Sequence, residues 1–95
     1  MLSKEYSDLP EPTTWWPSDV IDAIYASLTA EERLILRAIT NGETNSQIAA
    51  RLGIAEKSAE KHITRLFAKI GVSVRTKAAV FYTLWAATHQ ARAGT

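Results

Sequence analysis

The sequence predicts an all-α fold, and three observations lead to that prediction. Apolar residues recur at spacings of three and four in five stretches after residue 17, as they do in helices that pack one face on a core. Short segments with an isolated glycine separate several of these stretches, which is typical of helix ends. No stretch alternates apolar and polar residues as a half-buried strand does. We therefore expect several short helices around one core and no sheet.

The size and composition of the chain limit its function. Its 95 residues, 46% of them hydrophobic, suffice for one small core but not for a deep cleft between domains. With no cysteine and only two histidines, the chain lacks the residues for a disulfide scaffold or a zinc site, and we expect no cofactor. No apolar run approaches the roughly 20 residues that span a bilayer, and the first residues lack the apolar stretch of a secretory signal. We expect a cytoplasmic protein that is not an enzyme and does not contact a membrane.

Residues 1–27 are predicted to form an acidic N-terminal arm. All three prolines lie within its first 17 residues, where no helical period is visible, so we expect an extended segment there. Ser18 is then expected to cap one short amphipathic helix. The apolar stripe of that helix consists of Val20, Ile21, Ile24, Tyr25 and Leu28.

Residues 28–90 are predicted to form a domain of four helices. Thr29 and Glu32 have the spacing of a capping box, which places the first helix start at Thr29, and Asn41-Gly42 ends that helix. The second helix starts at Thr44 or Asn45 and ends before Gly53. The other two helices are expected at residues 56–70 and at about 74–89, and residues 91–95 are expected to be a disordered tail.

Charge is distributed unevenly along the chain. Residues 1–32 carry a net charge of −6, whereas residues 33–95 carry +7. An asymmetry of this kind indicates that one part of the chain faces a polyanion.

The helices predicted before and after Gly53 have the form of a helix-turn-helix. In that motif the first helix crosses the phosphate backbone, and the second lies in the major groove. On the second helix the inward set is apolar: Ala59, Ile63, Leu66, Phe67 and Ile70. The other faces carry Lys57, Ser58, Glu60, Lys61, Thr64, Arg65 and Lys69. The cations on this helix are four residues apart, a spacing that also occurs on ordinary solvated helices. Like charges at this spacing disfavour an isolated helix. Binding of an anion would offset this repulsion and gives the pattern a physical reason.

Several short motifs stand at a fixed mutual spacing between residues 28 and 85. They are Leu28-Thr29 with Glu32, Leu36, Asn41-Gly42, Asn45, Ile48-Ala49, Leu52, Glu56-Lys57, Lys61-His62-Ile63, Lys69-Ile70-Gly71-Val72, and Arg75-Thr76 with Ala78. Together they resemble the LuxR/FixJ-type (GerE-like) DNA-binding domain. The resemblance implies a bacterial transcription regulator that binds a pseudo-palindromic promoter site as a homodimer. Because only 27 residues precede the motifs, we expect a stand-alone domain without a receiver or signal-binding domain.

The resemblance also implies roles for individual residues in DNA binding. Three residues fall where the family reads base edges: Glu60, Lys61 and Thr64. The phosphate-contacting positions are Thr44, Asn45, Ser46, Lys57, Ser58, Arg65, Lys69, Arg75, Thr76 and Lys77.

The last helix is apolar on nearly every side, which predicts that it packs on a second surface in addition to the core. We expect one stripe of this helix to pack inward, formed by Ala78, Phe81, Tyr82 and Trp85. The face left for a partner subunit carries Val80, Thr83, Leu84 and Ala87. Alternatively, the N-terminal helix covers this face.

Four positions depart from the family pattern. Ala55 and Val74 stand where helix-capping residues are common, and Ser46 replaces a frequent lysine. Glu60 replaces a residue that is usually basic or neutral. These departures lower the DNA affinity that we expect but leave the fold prediction unchanged.

Trp15 and Trp16 allow two interpretations. The two indoles either dock within the chain or form an exposed anchor for a partner. In the second case the chain is a protein-interaction module, which controls another regulator or RNA polymerase through its acidic arm. The charge asymmetry adds the hypothesis that the arm folds over the basic face and competes with DNA.

Overall fold

Five α-helices follow one another in the computed structural model, which describes residues 16–93 and the side chains of residues 16–89. They are α1 (Ser18–Ser27), α2 (Ala30–Thr40), α3 (Asn45–Leu52), α4 (Glu56–Ile70) and α5 (Arg75–Ala93). No strand occurs in this part of the chain. The all-α prediction is confirmed, and α4 has the predicted bounds. None of the helices within residues 16–93 is long and apolar enough to cross a bilayer.

The helices α2 and α3 both begin with a capping box. The Thr29 hydroxyl accepts a hydrogen bond from the Glu32 amide at 3.1 Å, and the Glu32 carboxylate accepts one from the Thr29 amide at 2.9 Å. Thr44 and Gln47 make the same reciprocal pair at 3.2 and 2.8 Å. The start of α3 agrees with the sequence prediction, but Gln47 was not predicted as the second half of its box. Each box satisfies two helix amides that otherwise lack partners.

The start of α1 differs from the prediction. Pro17, not Ser18, is the N-cap residue, and no side chain caps this helix. The Pro17 carbonyl accepts hydrogen bonds from the amides of Val20 and Ile21 at 2.9 and 3.0 Å. Because the proline ring fixes φ at −57°, the chain enters the helix with its first carbonyl already oriented. Ser18 is therefore the first helical residue, and its prediction as the cap is wrong.

The hydrophobic core lies where α2, α4 and α5 meet. Its largest fully buried side chains are Phe81, Ile35, Leu36, Ile48 and Leu66. The helix α2 packs along α5, while α3 packs on α4. Burying each such side chain contributes about 1.5–3 kcal/mol, so the inner face of every helix is fixed by the core.

The helix α1 packs on α5 through aromatic side chains. Trp16 is buried, with its ring edge-on to Phe81 at a centroid distance of 5.4 Å. Tyr25 stacks on Trp85 at 3.7 Å, and His89 stacks on the same indole at 4.3 Å. Burial raises the pKa of the Tyr25 phenol, as does the nearby Tyr82. Trp16 thus docks within the chain, whereas Trp15 lies outside the described residues.

The helix α5 is longer than expected, and its buried residues differ in part from the predicted inward stripe. Of the predicted inward stripe, Ala78 and Phe81 are fully buried, whereas Tyr82 and Trp85 are half-buried. Ala86, which was not assigned inward, is also buried. The helix continues to Ala93, so the expected disordered tail is helical over residues 91–93; residues 94 and 95 lie outside the described range.

Glu32 joins the start of α2 to the end of α4. The Glu32 Oε1 atom, which caps the Thr29 amide, also accepts a bond from Lys69 Nζ at 2.8 Å. Burial alone raises the Glu32 pKa, but the bonds from Lys69 and Thr29 outweigh it and lower the pKa below the ordinary value of 4.5. A carboxyl whose pKa is lowered in the folded state stabilises that state above its ordinary pKa, and this stabilisation is lost as pH falls through the lowered pKa.

We predict that Glu32→Gln lowers the free energy of unfolding by about 0.5–1 kcal/mol at neutral pH. Glutamine retains the bond to the Thr29 amide, as Gln47 shows in the other box, so only the charge is lost. Urea unfolding at several pH values measures the difference, which should shrink below pH 4.5 as the Glu32 carboxyl of the wild type becomes protonated. Glu56→Gln, at an exposed site in the first turn of α4 without an ion-pair partner in the described region, is the control; a Glu32→Gln deficit that is independent of pH would contradict the assignment.

Candidate nucleic-acid interface

The outer face of α4 forms a shallow, open depression. Its lining consists of Lys57, Glu60, Lys61, Thr64 and Arg65, all of which are exposed. On the opposite face of the same helix, Ala59, Ile63, Leu66 and Ile70 are buried. The helix is thus anchored along one side and presents charged and polar groups on the other, which is the arrangement that a groove-binding helix requires.

Three of the lining residues are cations without an internal partner. Lys57, Lys61 and Arg65 make no hydrogen bond or ion pair with their side chains within residues 16–93. The Thr64 hydroxyl donates to the Glu60 carbonyl oxygen at 3.0 Å, so its proton is used within the helix. The three positive charges are therefore available to an external anion.

Both ends of α4 are shaped by small residues. Ala55 is the N-cap residue and provides no side-chain bond to the first helical amides. At the other end Gly71 has φ of 87°, a conformation that costs other residues about 1–2 kcal/mol. The chain therefore turns sharply out of α4 toward α5.

Arg75 connects the start of α5 to the turn between α2 and α3. Its Nη1 atom donates to Asn45 Oδ1, and its Nη2 atom donates to the Glu43 carbonyl oxygen, both at 2.7 Å. Arg75 and Asn45 were predicted to contact phosphates, whereas the structure brings them together in a half-buried bridge. Nothing local in the sequence signals this contact, because its partners are 30 and 32 residues apart.

The remaining candidate phosphate contacts differ in their surroundings. Lys69 is paired with Glu32, and the Thr44 hydroxyl accepts the Gln47 amide. The other candidates are exposed apart from half-buried Ser58: Ser46, Ser58, Thr76 and Lys77. The depression on α4 therefore contains only part of the predicted set.

Polar side-chain contacts tie α4 and α3 to the chain around them. His62 Nδ1 lies 3.1 Å from Glu31 Oε1, which links α4 to α2 beside the Glu32–Lys69 pair. Arg51 pairs with Glu43 at 2.6 Å, and this hydrogen bond raises the pKa of the Arg51 guanidinium. His62 thus acts as a packing contact between helices. No cluster of metal-ligating side chains occurs within residues 16–93.

The predicted dimer face of α5 is partly open. Val80 and Leu84 are half-buried at the edge of the core, and Thr83 and Ala87 are exposed. The helix α1 contacts α5 through Trp85 and His89, and Asp22 lies 3.5 Å from His89 Nε2. In the described part of the chain α1 thus covers the Trp85 and His89 side of α5.

Comparison with protein-family models matches residues 26–82 to the family described as bacterial regulatory proteins, luxR family. This match covers the helix-turn-helix, the turn at Gly71 and the first part of α5. The chain belongs to the luxR family. In this luxR-family domain, α4 occupies the position of the second helix of the motif.

Proteins similar to this chain are named as transcriptional regulators or as response regulators. The DNA-binding transcriptional activator DevR/DosR of Mycobacterium tuberculosis is 47% identical over 58 residues, which are 61% of this chain and 27% of the activator. The transcriptional regulatory protein YhcZ of Bacillus subtilis is 46% identical over 57 residues, 60% of this chain and 27% of YhcZ. A nitrate/nitrite response regulator protein homolog of Haemophilus influenzae is 43% identical over 56 residues, 59% of this chain and 27% of that protein. The matched region thus spans about a quarter of each relative.

We predict that Arg75 and Asn45 are energetically coupled. Asn45→Ala and Arg75→Lys should each lower the free energy of unfolding by about 1 kcal/mol, because lysine cannot make the forked contact. Urea unfolding of both single variants and the double variant forms a double-mutant cycle, in which we expect a coupling of at least about 0.5 kcal/mol. Additive effects would show that the bridge contributes nothing to stability.

Proposed function

We propose that this luxR-family chain is a sequence-specific DNA-binding transcriptional regulator that inserts α4 into the major groove of promoter DNA. The observation that carries the proposal is the set of unpaired cations Lys57, Lys61 and Arg65 on the exposed side of a helix whose other side is buried. Cations held at fixed positions on such a helix neutralise phosphates and release counterions, which drives binding to DNA. The proposed role is regulation of transcription at the promoter, in the cytoplasm. Such a role requires DNA binding and no catalytic group.

Different residues on the outer side of α4 have different proposed roles in DNA binding. Glu60, Lys61 and Thr64 read base edges, while Lys57, Ser58 and Arg65 contact phosphates along the groove. Thr44, Ser46, Thr76 and Lys77 extend the phosphate contacts on both sides of α4. Lys69 is already paired with Glu32, so its contact with phosphate requires sharing or breaking that pair.

Asn45 and Arg75 have a different proposed role in DNA binding. Their bridge fixes the start of α5 against the turn before α3. Two of the proposed phosphate contacts, Thr76 and Lys77, follow directly in the chain. We therefore infer that the bridge orients these neighbours, whatever contact Arg75 itself makes with phosphate.

We further propose that the chain binds as a homodimer on a pseudo-palindromic site. The α5 face with Val80, Thr83, Leu84 and Ala87 supports this, because it is apolar or uncharged and only partly covered. A two-fold dimer presents its recognition helices to half-sites about one DNA turn apart, which matches a pseudo-palindrome.

The alternative function, a protein-interaction module that uses the tryptophans of the arm, loses support. Trp16 is buried against Phe81 and is not an exposed anchor. The described part of the arm packs mainly on α5, so residues 16–27 give no support to the hypothesis that the arm covers the basic face. For residues 1–15 that hypothesis stays a prediction.

We predict that Lys61→Ala and Lys57→Ala weaken DNA binding in different ways. Loss of a base contact at Lys61 should cost about 1–3 kcal/mol on the preferred site and relax the choice of base there. Loss of a phosphate contact at Lys57 should weaken binding to all duplexes alike and reduce the slope of log K against log salt by about 1. Fluorescence anisotropy on the preferred and a scrambled duplex, over a range of salt, measures both effects.

These two variants form a matched pair, since each removes one exposed, unpaired lysine from the same helix. Lys69→Ala is less suitable, because it also breaks the pair with Glu32. If wild-type affinity does not depend on salt, or if both variants bind as the wild type does, α4 is not the DNA-binding helix.

We predict that Ala87→Glu reduces cooperative binding to a duplex with two half-sites and leaves binding to one half-site unchanged. The new carboxylate would face its symmetry mate or an apolar surface in a dimer, while the exposed position tolerates it in the monomer. Gel shifts on both duplexes measure the effect, with Ala23→Glu, on the exposed side of α1, as the control. Equal cooperativity in Ala87→Glu and wild type would exclude this face.

A further inference from the structure

Glu60 is the acidic member of the depression on α4. Its carboxylate makes no hydrogen bond or ion pair within residues 16–93, although Lys57 and Lys61 lie within one helical turn. Four other acidic side chains of the described region have partners, whereas Asp19 and Glu56, like Glu60, have none there; the pairs are Asp22 with His89, Glu31 with His62, Glu32 with Lys69 and Glu43 with Arg51. The Glu60 carboxylate is therefore free to accept a hydrogen bond from another molecule.

In a DNA complex this carboxylate cannot serve as a phosphate contact. Its charge has the same sign as the backbone phosphates, so an orientation toward them is repulsive. The neighbouring Lys57, Lys61 and Arg65 nevertheless draw this surface toward DNA. The favourable orientation for Glu60 is thus toward hydrogen-bond donors on the base edges, away from the backbone.

The pattern of groups in the major groove selects one base for such an acceptor. Cytosine offers its N4 amino group, and adenine offers its N6 amino group beside the N7 acceptor. Guanine and thymine present the acceptors O6, N7 and O4. A carboxylate beside the adenine amino group would face an acceptor on each side, adenine N7 and thymine O4, whereas the cytosine amino group adjoins only one acceptor, O6 of the paired guanine, and has a C–H group on its other side. Cytosine is therefore the base that the carboxylate fits best.

We propose that Glu60 specifies cytosine at one position of each half-site by accepting a hydrogen bond from its N4 amino group. Lys61, the next residue, has the opposite preference and donates to the guanine acceptors. The two side chains together make the recognised sequence depend on G·C pairs. This inference rests on the proposed function, since it applies only to a chain that binds DNA through α4.

The test compares sequence selection from a random duplex pool by three proteins, each comprising all 95 residues of the chain. The wild type should select cytosine at one position in each half-site. Glu60→Gln should shift that position toward adenine, because an amide can bond to both N6 and N7 of adenine. We expect the ratio of cytosine to adenine affinity at this position to change by about tenfold or more. Glu56→Gln removes the same charge from an exposed site outside the depression and should retain the wild-type sequence.

A second measurement removes the donor on the DNA. The selected cytosine is replaced by 2-pyrimidinone, which lacks the N4 amino group. Wild-type affinity should fall by about five- to tenfold, whereas the affinity of Glu60→Ala, which has no side-chain acceptor, should be nearly unchanged.

Two results would overturn the inference, and they are distinguishable. If Glu60→Gln selects the wild-type sequence and binds all duplexes more tightly, as Glu56→Gln does, Glu60 is only a surface charge, while the proposed function stands. If the wild type selects no sequence at all, specific DNA binding itself fails, and the role of Glu60 fails with it.

Discussion

The burial of one side of α4 is the interaction on which the rest of the structure depends. Ala59, Ile63, Leu66 and Ile70 fix the rotation of this helix about its axis, and the same rotation directs Lys61 outward. A turn of the helix by one residue, about 100°, would bury charge and expose leucine. The hydrophobic core thus sets which side chains are available for DNA, and the ion pairs from α2 stabilise that orientation rather than determine it.

Features with local signals were predictable from the sequence, whereas contacts between distant segments were not. The period of apolar residues and the glycine at 71 gave the bounds of α4, and Thr29 with Glu32 gave the start of α2. Arg75 with Asn45 and Lys69 with Glu32 join residues 30 and 37 positions apart, and each looks in sequence like an ordinary surface residue. For the candidate site, the face of α4 was therefore predictable, but the number of its cations that are free was not.

The helix α1 changes the division of the chain that the sequence suggested. The predicted boundary between arm and domain lies between residues 27 and 28, yet Trp16 and Ile21 belong to the same buried cluster as Phe81. The charge and proline content of this segment led to its prediction as a separate arm. Composition does not reveal which surface an amphipathic helix covers, so the packing of α1 on α5 could not be predicted. Residues 16–25 precede the part of the chain that matches the luxR family, so much of this packing involves residues outside the matched region.

The forked contact of Arg75 has a consequence for how such a protein can diverge. One guanidinium holds the start of α5 to the turn before α3, so the helices with the proposed subunit-contacting and groove-contacting roles share a joint at this contact. In the proposed dimer, the separation and relative rotation of the two α4 helices would then be set within each folded monomer. A change of operator spacing would require rebuilding that joint, whereas a change of operator sequence would need only new side chains on α4.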